Sequence, residues 1–268
     1  MRSLWLGHCE RSVAIYNILK PMLNNLDTSI TPTWCPGCGN FGIWAALKLA
    51  IEKSAIPLKD LVIVYDIGCA GNMNSFLSVY GFHGLHGRAI PAAAGIILAN
   101  PKLKVIVVTG DGGLLGEGLT HFIHACRANL DLTVLLHNNQ MYSLTTGQSS
   151  PTSMLGTKGK ATPQGVTDKP LVPISMAILA GATYTARAFA PDIPQTEGLI
   201  TAAINHPGFS LVEVLQPCVT YNKLNTATWF KERLEPLQKL PSTDIEAIDL
   251  ATWSDTTIYT GVFKQTSG

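Results

Sequence analysis

No stretch of 18 or more apolar residues occurs in the chain, so no membrane-spanning helix is expected. The start of the chain carries one arginine, and Gly7-His8-Cys9-Glu10-Arg11 breaks its short apolar run. That is not the pattern of a signal peptide, and a cytoplasmic location is expected. Charge of either sign is scarce. There are 19 Lys and Arg against 18 Asp and Glu, a net +1. No basic face emerges, which argues against nucleic acid as a partner. No internal repeat is present. Cysteine is limited to six residues, and in a cytosolic chain that number favours metal ligation over disulfides.

What the chain does have is apolar content, 46% over 268 residues. That is enough for one large α/β core. Residues 1–30 read as a leader segment, with helical periodicity over 13–26 and no visible chemistry. Residues 31–230 hold every chemical motif. Residues 231–268 form a C-terminal extension of short patterns. The expected helices cover 41–53, 91–99, 174–180 and 195–205, and the expected strands 61–65, 105–108, 132–136, 183–186 and 209–215. Such alternation predicts a parallel sheet flanked by helices on both faces.

Two strand ends concentrate the chemistry. Val105-Ile106-Val107-Val108 runs into Gly110-Asp111-Gly112-Gly113, and the run ending at Leu136 leads into Asn138-Asn139-Gln140-Met141. A strand, glycine turn, helix and strand form a βαβ unit, whose polar groups gather at the carboxyl ends of neighbouring strands. A carboxylate and an amide oxygen there suit Mg²⁺ bridging a diphosphate, since Mg²⁺ takes few protein oxygens. Gly-Asp-Gly is also the composition of a plain tight turn. Glu117 lies where an acid favours a helix dipole and reads as structural.

Cysteines form the second constellation. Trp34-Cys35-Pro36-Gly37-Cys38-Gly39 is a Cys-x-x-Cys loop, while Cys69 and Cys218 each follow a strand. Four thiolates at one sheet edge fit either a [4Fe–4S] cluster or a Cys₄ zinc. A thioredoxin-like motif is disfavoured because no strand precedes residue 35. Cys126 shares a helical face with Leu119, Phe122 and Ile123 and reads as a buried thiol. Cys9 has no partner spacing. The segment 145–173 is Gly-, Pro-, Ser-, Thr- and Lys-rich, and a loop that long is usually functional or mobile. Its Lys158, Lys160 and Lys169 read as a solvated face, with coenzyme A phosphates as the sharper alternative.

Taken in order, Trp34 to Gly39, Ile67-Gly68-Cys69, Leu85-His86-Gly87-Arg88, Gly110-Asp111-Gly112 and Leu215-Gln216-Pro217-Cys218 resemble the β subunit of 2-oxoacid:ferredoxin oxidoreductases over roughly residues 32–230. The resemblance implies a thiamine diphosphate-binding fold and coenzyme A-dependent oxidative decarboxylation of a 2-oxoacid to an acyl-CoA and CO₂. It implies electrons passed through a [4Fe–4S] cluster to ferredoxin, and a separate α subunit (with γ and δ subunits in some assemblies) supplying the glutamate that the cofactor needs.

By the same resemblance the cluster ligands are Cys35, Cys38, Cys69 and Cys218. Mg²⁺ is held by Asp111, Asn139 and the carbonyl of Met141. Gly110, Gly112 and Gly113 let the backbone approach the diphosphate, and His86 hydrogen-bonds it. Ile67, Gly68, Tyr142, Ser143 and Leu144 border cofactor or substrate. Asn72 stands where some relatives carry a basic substrate-binding residue, which leaves pyruvate or broad specificity open beside 2-oxoglutarate. Arg88 is expected on a phosphate, the partner subunit or a carboxylate. Two other readings of the residues are a thiamine diphosphate decarboxylase with structural zinc, and a non-catalytic electron-transfer subunit.

Overall fold

The structure is a computed structural model and describes residues 26–267. The proposed leader helix and Cys9 lie outside the described residues. The sequence alternation becomes strands β1 (Leu61–Tyr65), β2 (Tyr80–His83), β3 (Lys104–Gly110) and β4 (Thr133–Asn138), the short β5 (Met141–Tyr142) and β6 (Gln148–Ser149), and then β7 (Tyr184–Phe189), β8 (Ser210–Leu215), β9 (Leu234–Pro236) and β10 (Ile258–Gln265). The helices are α1 (Asn40–Ser54), α2 (Ala89–Ala99), α3 (Leu119–Arg127), α4 (Pro173–Leu179), α5 (Ile193–Asn205), α6 (Ala227–Lys231) and α7 (Asp244–Ala251). Eight strands form one sheet in the order β2-β1-β3-β4-β8-β7-β10-β9.

The six strands from β2 to β7 run parallel. Their continuous apolar runs follow from burial on both faces. Alternate residues of β3 separate cleanly: Ile106 and Val108 join the core under α1 and α5, while Val105 and Val107 join the core under α2, α3 and α4. Cys126 is fully buried in that second core, as expected.

The C-terminal extension adds to the same sheet. β10 pairs antiparallel with β7, its register shifting between Val262 and Lys264. Arg187 of β7 is fully buried and holds this segment, donating to the carbonyls of Ala251 at 2.8 Å and Tyr259 at 3.2 Å. No helix of the described residues is long and apolar enough to cross a membrane.

Candidate active site

Parallel strands point their carboxyl ends at one edge, so the segments after β1, β3, β4 and β8 meet there. Backbone hydrogen bonds carry the alignment past the strands: Asp66 N–H donates to Val108 at 2.9 Å and Gln216 N–H to Asn138 at 2.9 Å. A cleft opens between the ends of β1, β3 and β4. Every residue expected to border the cofactor lines it: Ile67, Gly68, Cys69, His86, Gly110, Asp111, Gly112, Gly113, Asn139, Met141, Tyr142, Ser143 and Leu144.

Asp111 is only 1% exposed. Ser150 Oγ and Thr152 Oγ1 donate to its Oδ2 at 2.5 and 2.7 Å. Burial pushes its carboxyl up to about 6, the two hydroxyls acting against that. A buried carboxylate without a cationic partner is costly, and a divalent ion is what would relieve it. Asn139 accepts from the N–H of Met141 at 3.0 Å. Between them Gln140 takes a left-handed conformation, φ 62°, with its carbonyl held by Ser153 Oγ at 2.6 Å. This sharp bend puts Asn139 and Met141 on the same wall.

The glycines have different reasons. A side chain at Gly110 would meet nothing within 4 Å, so that position leaves room for a ligand. A Cβ at Gly112 would collide with the Tyr142 ring, and one at Gly113 would stand 2.8 Å from the Asp66 carboxylate. Both are required first by the protein's own packing.

Asp66 carries no motif that marks it in the sequence. It is buried and accepts from the N–H groups of Ile67 at 2.7 Å and Gly87 at 3.1 Å and from Thr109 Oγ1 at 3.1 Å. It therefore clamps the His86 loop to β1 and β3. His86 Nδ1 lies 3.4 Å from Glu117 and 3.7 Å from Asp66. Glu117 closes a π-helical turn, Gly113–Glu117, and does not open a helix. Its carboxylate takes the Tyr142 hydroxyl at 3.1 Å, so it stands behind two residues that line the cleft, Tyr142 and His86, and is more than a helix-start acid. Such turns recur at functional sites. Arg88 Nη1 donates to the carbonyls of Glu117 at 2.8 Å and Gly87 at 3.2 Å, and among the described residues it does not pair with a carboxylate.

A second cavity of about 640 Å³ adjoins the first, and Cys35, Cys38, Cys69 and Cys218 all line it. The two share Cys69, Ser143 and Leu144. Gly37, φ 80°, turns the Cys-x-x-Cys loop, Cys38 N–H closes it on Cys35 at 2.9 Å, and Gly39 N–H ties it to Pro217 at 3.3 Å. Trp34 Nε1 donates to the Cys69 carbonyl at 2.7 Å.

Burial, with neighbouring thiols adding to it, pushes Cys38 up to about 12 and Cys69 up to about 11. Among the described residues no three Cys, His, Asp or Glu side chains converge as one metal ion requires. A tetrahedral zinc would need its sulfurs within about 4 Å of each other, given Zn–S bonds of about 2.3 Å. A cluster binds each thiolate to a separate iron and does not need that convergence. Asn72 lines this second cavity and not the first.

Two buried polar atoms without a hydrogen-bond partner, His86 Nδ1 and Ser143 Oγ, belong to residues lining the first cleft. Native interiors seldom leave such atoms unmatched. Together with the bare space at Gly110 and the buried Asp111, they fit a polyanionic cofactor and its cation. The 145–173 segment is partly packed down: β6 pairs with β5, and Ser150, Thr152 and Ser153 are buried. Lys158, Lys160 and Lys169 are exposed.

Comparison with known proteins gives a consistent picture. Residues 66–214 match the family model described as thiamine pyrophosphate enzyme, C-terminal TPP binding domain. Residues 218–267 match the model for the C-terminal part of the pyruvate ferredoxin oxidoreductase beta subunit. The chain is 47% identical over 217 residues to 2-oxoacid:ferredoxin oxidoreductase 1, subunit beta, of Aeropyrum pernix, covering 81% of this chain and 68% of that one. It is 39% identical over 224 residues to 2-oxoglutarate synthase subunit KorB of Archaeoglobus fulgidus, covering 83% and 84%. A solved 2-oxoglutarate:ferredoxin oxidoreductase from Magnetococcus marinus, with 2-oxoglutarate, coenzyme A and succinyl-CoA bound, superposes with a TM-score of 0.88 at 35% identity, covering 91% of this chain and 85% of that chain.

Proposed function

The chain belongs to the β-subunit family of 2-oxoacid:ferredoxin oxidoreductases, and from that premise we propose that, with an α subunit, it performs the coenzyme A-dependent oxidative decarboxylation of a 2-oxoacid in the cytoplasm, passing electrons through a [4Fe–4S] cluster to ferredoxin. One observation carries the reading: the cleft holding Asp111 and Asn139 and the cavity holding four cysteines share a wall made of Cys69, Ser143 and Leu144. Electrons leaving the first have a short route to the second.

Thiamine diphosphate supplies the electron sink for decarboxylation when bound. This chain's own groups hold and screen it. Asp111, Asn139 and the Met141 carbonyl hold Mg²⁺, and the turn at Gly110 leaves room for the diphosphate. His86 donates to a phosphate oxygen. Tyr142, packed on Gly112 and hydrogen-bonded to Glu117, walls the cleft from water. Cys35, Cys38, Cys69 and Cys218 would ligate the cluster as thiolates, and Cys38 and Cys69 would have to give up the protons that burial favours. Four thiols around a cavity that adjoins the cofactor cleft support a cluster over the zinc alternative, because zinc has no redox chemistry to carry electrons. The intact cofactor cleft gives the non-catalytic alternative no support. Asn72 offers an amide and no charge, so this position does not select a second substrate carboxylate, and a broad 2-oxoacid range including pyruvate is proposed.

The test is anaerobic co-purification with the α subunit. About four iron atoms per chain are expected, with viologen reduction dependent on coenzyme A across pyruvate, 2-oxobutyrate and 2-oxoglutarate. One zinc and no iron would refute the cluster. Turnover by this chain alone would refute the shared active site.

A further inference from the structure

A continuous line of buried polar side chains runs from Asp111 along one face of the sheet, past the end of β4 and across β8 to β7. Arg187 Nε donates to Glu213 Oε2 at 2.8 Å. Asn138 Nδ2 donates to Glu213 Oε1 at 2.7 Å. Thr152 Oγ1 lies 3.0 Å from Asn138 Oδ1 and 2.7 Å from Asp111 Oδ2. All five side chains are at most 2% exposed. The pair Arg187–Glu213 belongs to β7 and β8, Asn138 ends β4, and Thr152 comes from the 145–173 segment.

We propose that Asn138 and Thr152 are positioning residues for the metal, and that the buried Glu213–Arg187 pair fixes which way the Asn138 amide faces. The argument is one of donors and acceptors. An ionised Glu213 only accepts, so the Asn138 amide must turn its NH₂ toward it. Asn138 Oδ1 then faces Thr152 and the N–H of Gln140, the latter at 3.2 Å. Thr152 has one hydroxyl proton, and the carboxylate is the stronger of its two acceptors, so Asn138 Oδ1 accepts from the Gln140 N–H and steadies the bend that carries Asn139 and Met141. Ser150 brings a second hydroxyl to the same oxygen. Oδ2 is thereby committed to the protein, and Oδ1 is the oxygen without a hydroxyl partner. The carboxylate is thus held at one angle to the cleft, by groups behind a metal ligand whose own geometry tunes affinity.

This inference rests on the Mg²⁺–thiamine diphosphate reading above, and its test separates the two. Mn²⁺ is titrated into the metal-free complex with thiamine diphosphate and followed by electron paramagnetic resonance. Thr152→Val keeps the shape and removes the hydroxyl. It is expected to weaken Mn²⁺ binding about ten- to hundredfold and to broaden the bound-ion spectrum. Thr152→Ser restores the hydroxyl and is expected to recover affinity to within roughly threefold. Asn138→Leu is expected to weaken binding too, and the double variant Asn138→Leu/Thr152→Val to be worse than either single, because Thr152 acts on Asp111 and Asn138 on the bend carrying Asn139 and Met141. Parent-like affinity in Thr152→Val, failure of Thr152→Ser to rescue, or a double variant no worse than its weaker single would overturn the inference. A parent complex that binds no Mn²⁺ with thiamine diphosphate would overturn the reading beneath it.

Discussion

Removing the charge of Asp111 should make the metal-free protein more stable while destroying its cofactor site. The carboxyl is buried and raised from the ordinary 3.8 to about 6, with desolvation as the leading cause. The sign follows from linkage. A folded-state value above the unfolded one means that the unfolded chain ionises first as pH rises. Stability is therefore undiminished below about 3.8, falls between about 3.8 and 6, and stays low above. At about 1.4 kcal/mol per pH unit the loss at neutral pH is about 3 kcal/mol. Asp111→Asn removes that loss and leaves an oxygen to accept from Ser150 and Thr152. Chelator-treated Asp111→Asn should unfold roughly 6 to 12 °C above chelator-treated parent at pH 7.5, at 2–4 °C per kcal/mol for a chain of this size. The gap should close as pH is lowered toward 4. Adding Mg²⁺ and thiamine diphosphate should raise the parent midpoint and leave the variant unmoved. A metal-free variant less stable than the parent at pH 7.5 would refute the claim that burial of this charge is uncompensated.

Two further outcomes follow from packing. Arg187→Met strands the fully buried Glu213, and loss of one partner of a buried pair costs about 3–5 kcal/mol; denaturant unfolding should show it, and Arg187→Met/Glu213→Leu should recover part. Gly112→Ala places a methyl against the Tyr142 ring. Overpacking of this kind costs about 1–3 kcal/mol, and displaced Tyr142 should weaken thiamine diphosphate binding at least about tenfold, read by isothermal titration, with Tyr142→Ala partly relieving the stability loss.

The parallel architecture is legible in the sequence because runs such as Val105 to Val108 carry their own period and end in glycine. Helix and strand limits differ by a few residues, as at α2, which starts at Ala89 and not at Pro91. The C-terminal strand β10 is hidden because its residues, Ile258 to Gln265, mix apolar and polar groups as an antiparallel neighbour of β7. The cleft lining is legible because strand ends and their following residues are contiguous in sequence. Glu117 reads wrongly as a helix-start acid because a π-helical turn carries no sequence period that distinguishes it from an α-helical start.

By itself the sequence determined which strands end in chemistry: Ile67 to Cys69, Gly110 to Gly113, Asn138 to Met141 and Gln216 to Cys218. Local pattern suffices for that, since each motif is a few consecutive residues. Only the tertiary structure decided what stands behind them. Ser150 and Thr152 reach Asp111 from a loop without periodicity, and Glu213 and Arg187 reach it through Asn138. Hydrogen bonds between residues far apart in the chain exist only once the sheet has set their distance, so no spacing in the sequence announces them.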